Sequence, residues 1–414
     1  MFKKVLALIL ALCMALALVA CGQTTPADDS DSSGDGVEPF RIGVIQPLTG
    51  SNGFGGTECQ AAFEIAAEEW GTLLGRPIEL VFADGTDDAT SISEVERLMN
   101  VMGIKFFFGA YGFSSIPIQA AVMQNGGFIF ETTTWETDLL SGDYDNYFMN
   151  MVTAEEYANT AANYVLMLGE EYLGKSKDEL VVGIVGNSGF PSAMYDIVKN
   201  RLEELGCAPA VYEVYDDSIT DFTSIIMKLE AANCDIVVPS QFPPDADMFR
   251  KACLSLNYNP PIVFGTGVAY DESAFAQIGE AAEYCMSISY TNPEMNPDST
   301  KGLVEFREAF YEKTGHYPIT HALMAYSGAQ IFFQAIENAG SDDYEAIREA
   351  LYALDIPAGE LPAYWGVKFD KDTNHNDRSG QPLVIGQWFS DGNGGYEYKV
   401  VYPAELAVEE LVVK

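Results

Sequence analysis

The sequence predicts an α/β protein made of two lobes, each a doubly wound parallel sheet, joined by a three-stranded hinge. Two observations carry this prediction. The chain has 414 residues, which suggests two domains of ordinary size rather than one large core. Short apolar runs also alternate with segments of helical period, and this alternation occurs twice. Such a rhythm indicates a parallel sheet covered by helices on both faces.

The amino terminus predicts export. Residues 5–20 are apolar, follow Lys3 and Lys4, and end in a small residue before Cys21. These are the parts of a secretory signal, and at ~1.5 Å per residue the run is short for a bilayer core of ~30 Å. The segment 18–21, Leu-Val-Ala-Cys, resembles the lipobox of bacterial lipoproteins, which implies a lipidated Cys21. The alternatives are an uncleaved anchor and a plain signal peptide with a chance cysteine.

A tether is expected next. Residues 21–39 are mostly Gly, Ser, Thr, Pro and Asp, with little apolar surface to bury. Such a composition favours a solvated, flexible linker. We therefore expect the folded part to begin near Phe40.

The first lobe is predicted from strands and helices that alternate after Phe40. The predicted strands are residues 41–46, 78–83, 105–109 and 128–131. The predicted helices are residues 58–70, 91–102 and 116–124. The same rhythm then predicts a second lobe after a helical segment at 155–168. Its strands are residues 180–186, 210–215, 235–239 and 261–265, with helices at 193–205, 222–232 and 246–256.

The remaining segments determine the predicted domain bounds. Helices at 300–314, 322–338 and 344–354 follow a run at 284–290 without further strands of the earlier kind, so we expect them to cover the first lobe. Residues 383–388 and 396–401 flank a glycine-rich turn and predict a hairpin, although periodicity does not say which lobe it joins. We assign residues 40–152 and 290–380 to lobe 1, and 153–289 and 381–414 to lobe 2.

Composition excludes several functions. The chain has 61 acidic against 22 basic side chains, a net charge of −39, which repels nucleic acid and anionic lipid. The five cysteines after Cys21 show no CxxC spacing, so we expect mostly buried thiols. Acidic and amide side chains alternate at 370–376, but the glycine and closing glutamate of a calcium loop are missing, so a surface turn is expected. We expect no metal, no cofactor and no catalytic group.

Polar loops follow strands in both lobes. In the first lobe they are residues 47–57, 110–115 and 132–135, and in the second 187–190, 241–242 and 266–272. Ligands of open parallel sheets collect outside the carboxyl ends of the strands. Hydroxyls, glycines and aromatics there suit a small ligand with a carboxylate or similar oxygens. The alternative for each cluster is simple capping of the next helix.

The chain resembles the solute-binding lipoproteins of ABC transporters, in particular the branched-chain amino acid-binding group with its type I periplasmic-binding fold. The resemblance rests on four segments in addition to residues 18–21. They are Arg41-Ile42-Gly43-Val44 with Pro47-Leu48-Thr49-Gly50, Phe108-Gly109-Ala110-Tyr111, Asp221-Phe222-Thr223 and Ile385-Gly386-Gln387-Trp388. It covers nearly all of the predicted folded part.

The resemblance implies specific ligand-binding residues. In the family, a serine and an Ala/Thr segment of the first lobe hold the ligand carboxylate, and several aromatics enclose the rest. The corresponding residues here are Ser114 or Ser115, Thr132, Thr133, Thr134, Phe54, Phe190 and Phe242, with His321 near another pocket position. The second-lobe glutamate that binds a ligand ammonium has no direct counterpart. Asp271 or Glu272 would replace it if the loop bends differently; otherwise the ligand is not an α-amino acid.

The resemblance also implies the function. We expect a monomeric, non-enzymatic receptor that closes over a small polar or amphipathic, amino acid-like solute and delivers it to an ABC permease. It would lie outside the cytoplasm, anchored to the membrane by Cys21. Alternatives are an amide, urea or aromatic-acid receptor, a ligand sensor for a membrane partner, and a secreted hydrolase, for which no nucleophile with a nearby base is evident.

Overall fold

The computed structural model describes residues 37–50, 52–135, 144–190, 194–216, 218–271, 273–376 and 381–413. Within it, Pro39–Lys414 forms one compact unit. The predicted signal sequence, Cys21 and Glu272 lie outside the described residues. None of the helices described is both long and apolar enough to span a lipid bilayer.

The first sheet has the strand order β2-β3-β1-β4-β5-β6. Its strands are β1 (Phe40–Gln46), β2 (Thr72–Leu73), β3 (Arg76–Asp84), β4 (Phe106–Phe108), β5 (Phe128–Glu131) and β6 (Tyr147–Met149). Only the short β2 pairs antiparallel, with β3; the other pairs are parallel. The central strands are buried on both faces, as the apolar runs predict for a parallel sheet between helices.

Helices from two distant parts of the chain cover this sheet. The first group is α1 (Gly53–Trp70), α2 (Asp88–Asn100) and α3 (Ser115–Gln124). Three more follow the second sheet's parallel strands, at Leu303–Thr314, Thr320–Ala339 and Tyr344–Tyr352. The helix Thr320–Ala339 packs against α1, against β5 and against the helix Tyr344–Tyr352, so the chain returns to the first sheet after the second.

The second sheet has the order β13-β12-β11-β10-β9-β7-β8. Its strands are β7 (Val182–Asn187), β8 (Val211–Tyr215), β9 (Ile236–Ser240), β10 (Ile262–Thr266), β11 (Met286–Ser289), β12 (Val384–Ser390) and β13 (Tyr396–Tyr402). Its helices are α4 (Ala154–Leu173), α5 (Met194–Glu204), α6 (Thr223–Ala232) and α7 (Pro243–Ser255). In chain order, the three helices that return to the first sheet are then α8 (Leu303–Thr314), α9 (Thr320–Ala339) and α10 (Tyr344–Tyr352).

The hairpin β12–β13 joins the second sheet. Strand β12 pairs antiparallel with β11 and with β13, so the second sheet, like the first, is mixed but mainly parallel. The sequence pattern left this placement open. The fold class is thus the α/β class predicted.

The chain passes between the two sheets three times. It leaves the first sheet after β6, returns after β11, and enters the second sheet again before β12. The first and third crossovers contact each other, because the Asn376 N–H donates to the Met149 carbonyl at 3.0 Å and the Met149 N–H donates to the Asn374 carbonyl at 3.1 Å. The exact lobe boundaries stay a prediction.

The predicted start of the first helix was wrong. We predicted residues 47–57 as a loop, but α1 begins at Gly53, so Phe54 lies in the first turn of a helix. The glycines permit this early start because a Cβ at Gly56 would lie 2.1 Å from the Pro47 carbonyl oxygen. A close backbone approach, rather than loop flexibility, explains the glycine-rich sequence. The prediction of buried thiols is confirmed for the five described cysteines, all of which are buried.

The aromatic contacts of Phe332 should be a main source of stability in the first sheet. On α9, Phe332 contacts the rings of Phe106, Phe108, Phe128 and Phe130 in β4 and β5. We expect Phe332→Ala to lower the free energy of unfolding by about 3–5 kcal/mol, because it leaves a cavity under two strands. The exposed Asn338→Ala on the same helix should change it by less than about 0.5 kcal/mol. Urea denaturation measures both, and equal effects would contradict this account of the core.

Candidate functional site

Polar side chains end several parallel strands of the first sheet and hold the neighbouring loops. Gln46 ends β1; its Nε2 donates to the Gly109 carbonyl at 3.0 Å and its Oε1 accepts the Tyr111 N–H at 2.9 Å. Asp84 ends β3 and accepts the Leu48 N–H at 2.9 Å. We call the side of a sheet where its parallel strands end the carboxyl edge. The loops at this edge are therefore fixed by side chains from adjacent strands.

Glu131, which ends β5, is the centre of this edge. Its carboxylate accepts the N–H groups of Thr132 and Thr133, each at 2.8 Å, and of Thr134 at 3.1 Å. It also accepts the Ser115 hydroxyl and, at 2.6 Å, Nε2 of Gln119. Burial raises the pKa of Glu131, and the hydrogen bonds from these groups oppose that shift. We call these five donors the Glu131 cradle.

The structure brings Ser115, Thr132, Thr133 and Thr134 together around this carboxylate, and their role in ligand binding stays a prediction. The Thr133 hydroxyl donates to the Ala110 carbonyl at 2.7 Å. Ser114, which ends the 3₁₀ turn Gly112–Ser114, is only partly buried and directly precedes α3. The sequence analysis missed Glu131, although a charged residue directly after three buried apolar residues was a usable signal.

Three polar groups in the loop after β5 are buried without a hydrogen-bond partner among the described residues, namely Oγ1 of Thr132, Oγ1 of Thr134 and Nε1 of Trp135. Nε2 of Gln241, in the second-sheet loop after β9, is another such group. A buried polar group without a partner is costly, so each of them could form a hydrogen bond with a bound solute.

Polar residues also end the strands of the second sheet. Nδ2 of Asn187, at the end of β7, donates to Asp245 at 2.6 Å. The hydroxyls of Ser240 and Thr266, which end β9 and β10, are 2.6 Å apart. The Ser289 hydroxyl, at the end of β11, donates to Asp271 at 2.7 Å. Asp271, one of the two predicted acidic residues, is thus held at the carboxyl edge of this sheet.

The predicted aromatics of the second lobe lie together. The rings of Phe190 and Phe242 are 5.2 Å apart. Gly267 makes room for them, because a Cβ there would lie 2.4 Å from Cζ of Phe190. The Gly267 N–H donates to the Tyr157 hydroxyl at 2.9 Å, and that hydroxyl donates to the Ile288 carbonyl at 2.8 Å. Tyr157 of α4 therefore fixes the loop after β10.

A chain of ring contacts, buried except at the half-buried Tyr111, runs from the first-sheet loops to α9. Trp135 contacts Tyr290 at 5.8 Å, Tyr290 contacts His321 at 5.8 Å, and His321 contacts Tyr111 at 4.9 Å between ring centroids. Sequence reasoning named His321 and placed Trp135 in the candidate loop 132–135 without assigning it a role, and it missed Tyr290. Trp135 directly follows the predicted threonines, whereas nothing in the pattern distinguishes Tyr290 from a core residue.

A cavity of about 700 Å³ adjoins these rings. Phe54, His316 and His321 line it from elements of the first sheet, and Asp271, Trp388 and Tyr398 line it from the second. Its volume lies within the ~300–1,000 Å³ typical of small-ligand sites. Of the predicted site residues, Phe54, Asp271 and His321 line the cavity, whereas the Glu131 cradle and the Phe190–Phe242 pair are not among its lining residues.

The charges on the cavity wall are largely compensated. Arg307 pairs with Glu294 at 2.9 Å, and Lys399 pairs with Glu397 at 2.8 Å. Burial lowers the pKa of His321 to about 4, so its imidazole is neutral at pH 7. The wall therefore combines aromatic surface with paired charges, a neutral imidazole and the Asp271 carboxylate.

Known proteins resemble this chain over most of its length. A family model described as periplasmic binding protein matches residues 39–393. The Leu/Ile/Val-binding protein homolog 8 of Brucella abortus (strain 2308) is 26% identical over 382 residues, 90% of this chain and 93% of that protein.

Solved structures with bound solutes share the fold. A branched-chain amino acid transporter substrate-binding protein of Streptococcus pneumoniae, in complex with isoleucine, has a TM-score of 0.70 at 18% identity and covers 88% of this chain and 100% of its own. A solute-binding protein of an ABC transporter from Rhodopseudomonas palustris BisB5, in complex with 3,4-dihydroxybenzoic acid, has a TM-score of 0.70 at 16% identity. The match covers 87% of this chain and 95% of that protein. At these identities the two structures establish the fold.

His321 should make stability depend on pH. The pKa of a histidine is ordinarily near 6.5, and burial lowers that of His321 to about 4. Between pH 4 and pH 6.5, His321 is therefore protonated in the unfolded chain but neutral in the folded one. The stability that neutral His321 contributes is complete above pH 6.5 and is lost as the pH falls toward 4. From pH 7 to pH 5 the loss should be about 2 kcal/mol.

Urea denaturation at both pH values checks this prediction. From pH 7 to pH 5, the unfolding free energy of the wild type should fall by about 2 kcal/mol more than that of His321→Gln. Phe54→Ala, which removes a non-titrating ring from the same cavity, should keep the wild-type decrease. An identical pH dependence in wild type and His321→Gln would contradict a neutral, buried imidazole.

Proposed function

The chain belongs to the periplasmic binding protein family, and we propose that it is the receptor that captures one small solute for an ABC importer. Proteins of this family are extracytoplasmic substrate-binding proteins rather than enzymes, and they work with ABC permeases. The observation that carries the proposal is the cavity of about 700 Å³ whose wall comes from elements of both sheets. A solute bound there would contact both lobes at once.

Closure follows from this geometry. A ligand shifts an equilibrium between open and closed forms only if it binds one of them more tightly. A solute between Phe54 on one side and Asp271 or Trp388 on the other makes its full set of contacts only when the lobes are close. The three crossovers would form the hinge, and the closed form would be the one that the permease recognises.

We propose a small polar or amphipathic solute, amino acid-like in size. The relatives that bind isoleucine and 3,4-dihydroxybenzoic acid support a ligand of this size, and the aromatic wall suits an apolar portion. The second candidate is a receptor for amides or urea. The unpartnered Thr134 hydroxyl, Trp135 indole N–H and Gln241 amide are not among the residues that line the cavity, but they favour this candidate for a solute that reaches their loops, because these neutral groups suit a carbonyl oxygen.

The amino terminus completes the proposal. A lipidated Cys21 would hold the receptor at the outer face of the membrane, since buried acyl chains contribute ~0.8 kcal/mol per methylene. The predicted linker at 21–39 would let the receptor reach its permease. Labelling with a fatty-acid analogue tests this anchor, and Cys21→Ser should abolish the label.

Native mass spectrometry of freshly purified protein, followed by a thermal-shift screen of a metabolite library, tests the receptor function. We expect one class of small solutes to raise the melting temperature and to reduce the radius of gyration in solution scattering. Turnover of the bound solute would favour the hydrolase. A library that neither stabilises nor compacts the protein would contradict the receptor.

The Thr134 hydroxyl should contribute to affinity for the solute found in that screen. Thr134→Val keeps the shape of the side chain but removes a buried hydroxyl that has no protein partner among the described residues. We expect about tenfold weaker binding in calorimetry, with a melting temperature close to that of the wild type. The control is Thr160→Val, because the Thr160 hydroxyl bonds only within its own helix. Equal affinity of Thr134→Val and wild type would exclude this contact.

A further inference from the structure

The Glu131 cradle has the geometry of an anion-binding site. Three consecutive N–H groups, from residues 132–134, converge on one point at the end of β5. Ser115 and Gln119 direct a hydroxyl and an amide to the same point from the first two turns of α3. Converging backbone N–H groups at a strand end beside a helix N-terminus attract anions. An external carboxylate would therefore fit this site if it were vacant.

The chain's own carboxylate occupies that point. Oε1 of Glu131 accepts the three N–H groups, and Oε2 accepts Ser115 and Gln119. The carboxylate is also closely enclosed, because a Cβ at Gly109 would lie 1.9 Å from Oε2. Since Glu131 is fully buried, its side chain has no exit to solvent in this arrangement. No donor of the cradle remains for a second carboxylate.

The charge of Glu131 also acts against a second anion nearby. Its five hydrogen-bond partners are all neutral groups, so they stabilise the negative charge without cancelling it. Two like charges close together in a buried site disfavour each other. On the second sheet, Asp271 adds another carboxylate at the cavity, while the cations of the wall are paired with glutamates.

We propose that Glu131 is a built-in substitute for a ligand carboxylate, and that the solute presents a neutral or cationic group to the first-sheet loops. The inference about the solute class rests on the proposed function, whereas the occupation of the cradle by Glu131 does not depend on it. The groups left for recognition in the first-sheet loop include the Thr134 hydroxyl and the Trp135 indole N–H, and the Gln241 amide is an unpartnered group of the second sheet. They fit the carbonyl or hydroxyl oxygen of an amide, an amino alcohol or a similar solute. The solute class is thus one without a carboxylate at this end.

Sodium formate is the probe for the cradle. The melting temperatures of wild type, Glu131→Ala and Glu131→Gln are measured in increasing formate, against sodium chloride at the same ionic strength. Glu131→Ala vacates the cradle, so formate should raise its melting temperature by about 2–4 °C in a saturable way. Wild type should not respond beyond the chloride control. Glu131→Gln, whose amide fills the same space, is the matched control and should not respond either.

The outcomes are decisive in each case. Stabilisation of the wild type by formate to the same extent as Glu131→Ala would mean that the cradle is open, and would overturn the proposal. A folded Glu131→Ala that ignores formate would overturn it as well. If Glu131→Ala does not fold in chloride, it is refolded from urea in formate: recovery supports the proposal, and no recovery in either salt overturns it.

The solute class has its own test, which separates this inference from the receptor function. Once the screen has identified a solute, the acid and the primary amide of the same skeleton are compared by calorimetry. Tighter binding of the amide, by tenfold or more, supports the proposal, and tighter binding of the acid overturns it while leaving the receptor function intact. If no compound of the library binds, but formate raises the melting temperature of Glu131→Ala, only the receptor function is contradicted.

Discussion

Most of the parallel strands in both sheets end in a polar residue, and the side chains of these residues hold the loops at the carboxyl edges in place. A parallel strand covered by helices on both faces has no solvated surface along its length, so its polar groups concentrate where it ends. Gln46, Asp84 and Glu131 use these ends to bind N–H and carbonyl groups of the adjacent loops. In the second sheet, Oδ1 of Asn187 accepts the Gly189 N–H, and the Ser289 hydroxyl donates to the Thr291 carbonyl. The loops that surround the candidate site are thus held by hydrogen bonds from rigid strands, which preorganises them.

The architecture could be predicted because its signal is local. A run such as Phe106–Phe108 is buried on both sides, and three apolar residues in sequence already indicate this. The start of α1 was wrong because Gly53 to Gly56 has the composition of a loop, and only the approach to Pro47 shows why glycine is needed there. The hairpin could not be placed, since its alternating pattern fits the edge of either sheet. Ser115 and the threonines were found because position after a strand is visible in the sequence.

The role of Glu131 could not be predicted for a different reason. A glutamate at a strand end is compatible with a side chain that faces solvent, a helix or its own loop, and the sequence does not choose among them. The choice depends on Gly109, which leaves space for the carboxylate, and on Gln119, which lies twelve residues earlier in the chain. His321 shows the same limit. Its position at the start of α9 is readable, but its neutral state results from burial among Tyr111, Tyr290 and the cavity wall.

A shared fold therefore says little about the solute, because the fold fixes where a site lies and the strand-end residues fix what it accepts. The proteins that bind isoleucine and 3,4-dihydroxybenzoic acid have the same architecture as this chain at less than 20% identity. Burial of a carboxylate is costly, and five hydrogen bonds offset that cost at Glu131 whether the carboxylate belongs to a ligand or to the chain. Covalent attachment removes the entropic cost of capturing the anion, so an internal carboxylate holds the loop in its bound form at all times. In the proposed receptor, a ligand carboxylate would then contribute nothing to closure, because the chain's own carboxylate already occupies its place. Closure would be driven instead by the remaining contacts, which are the unpartnered polar groups and the aromatic wall.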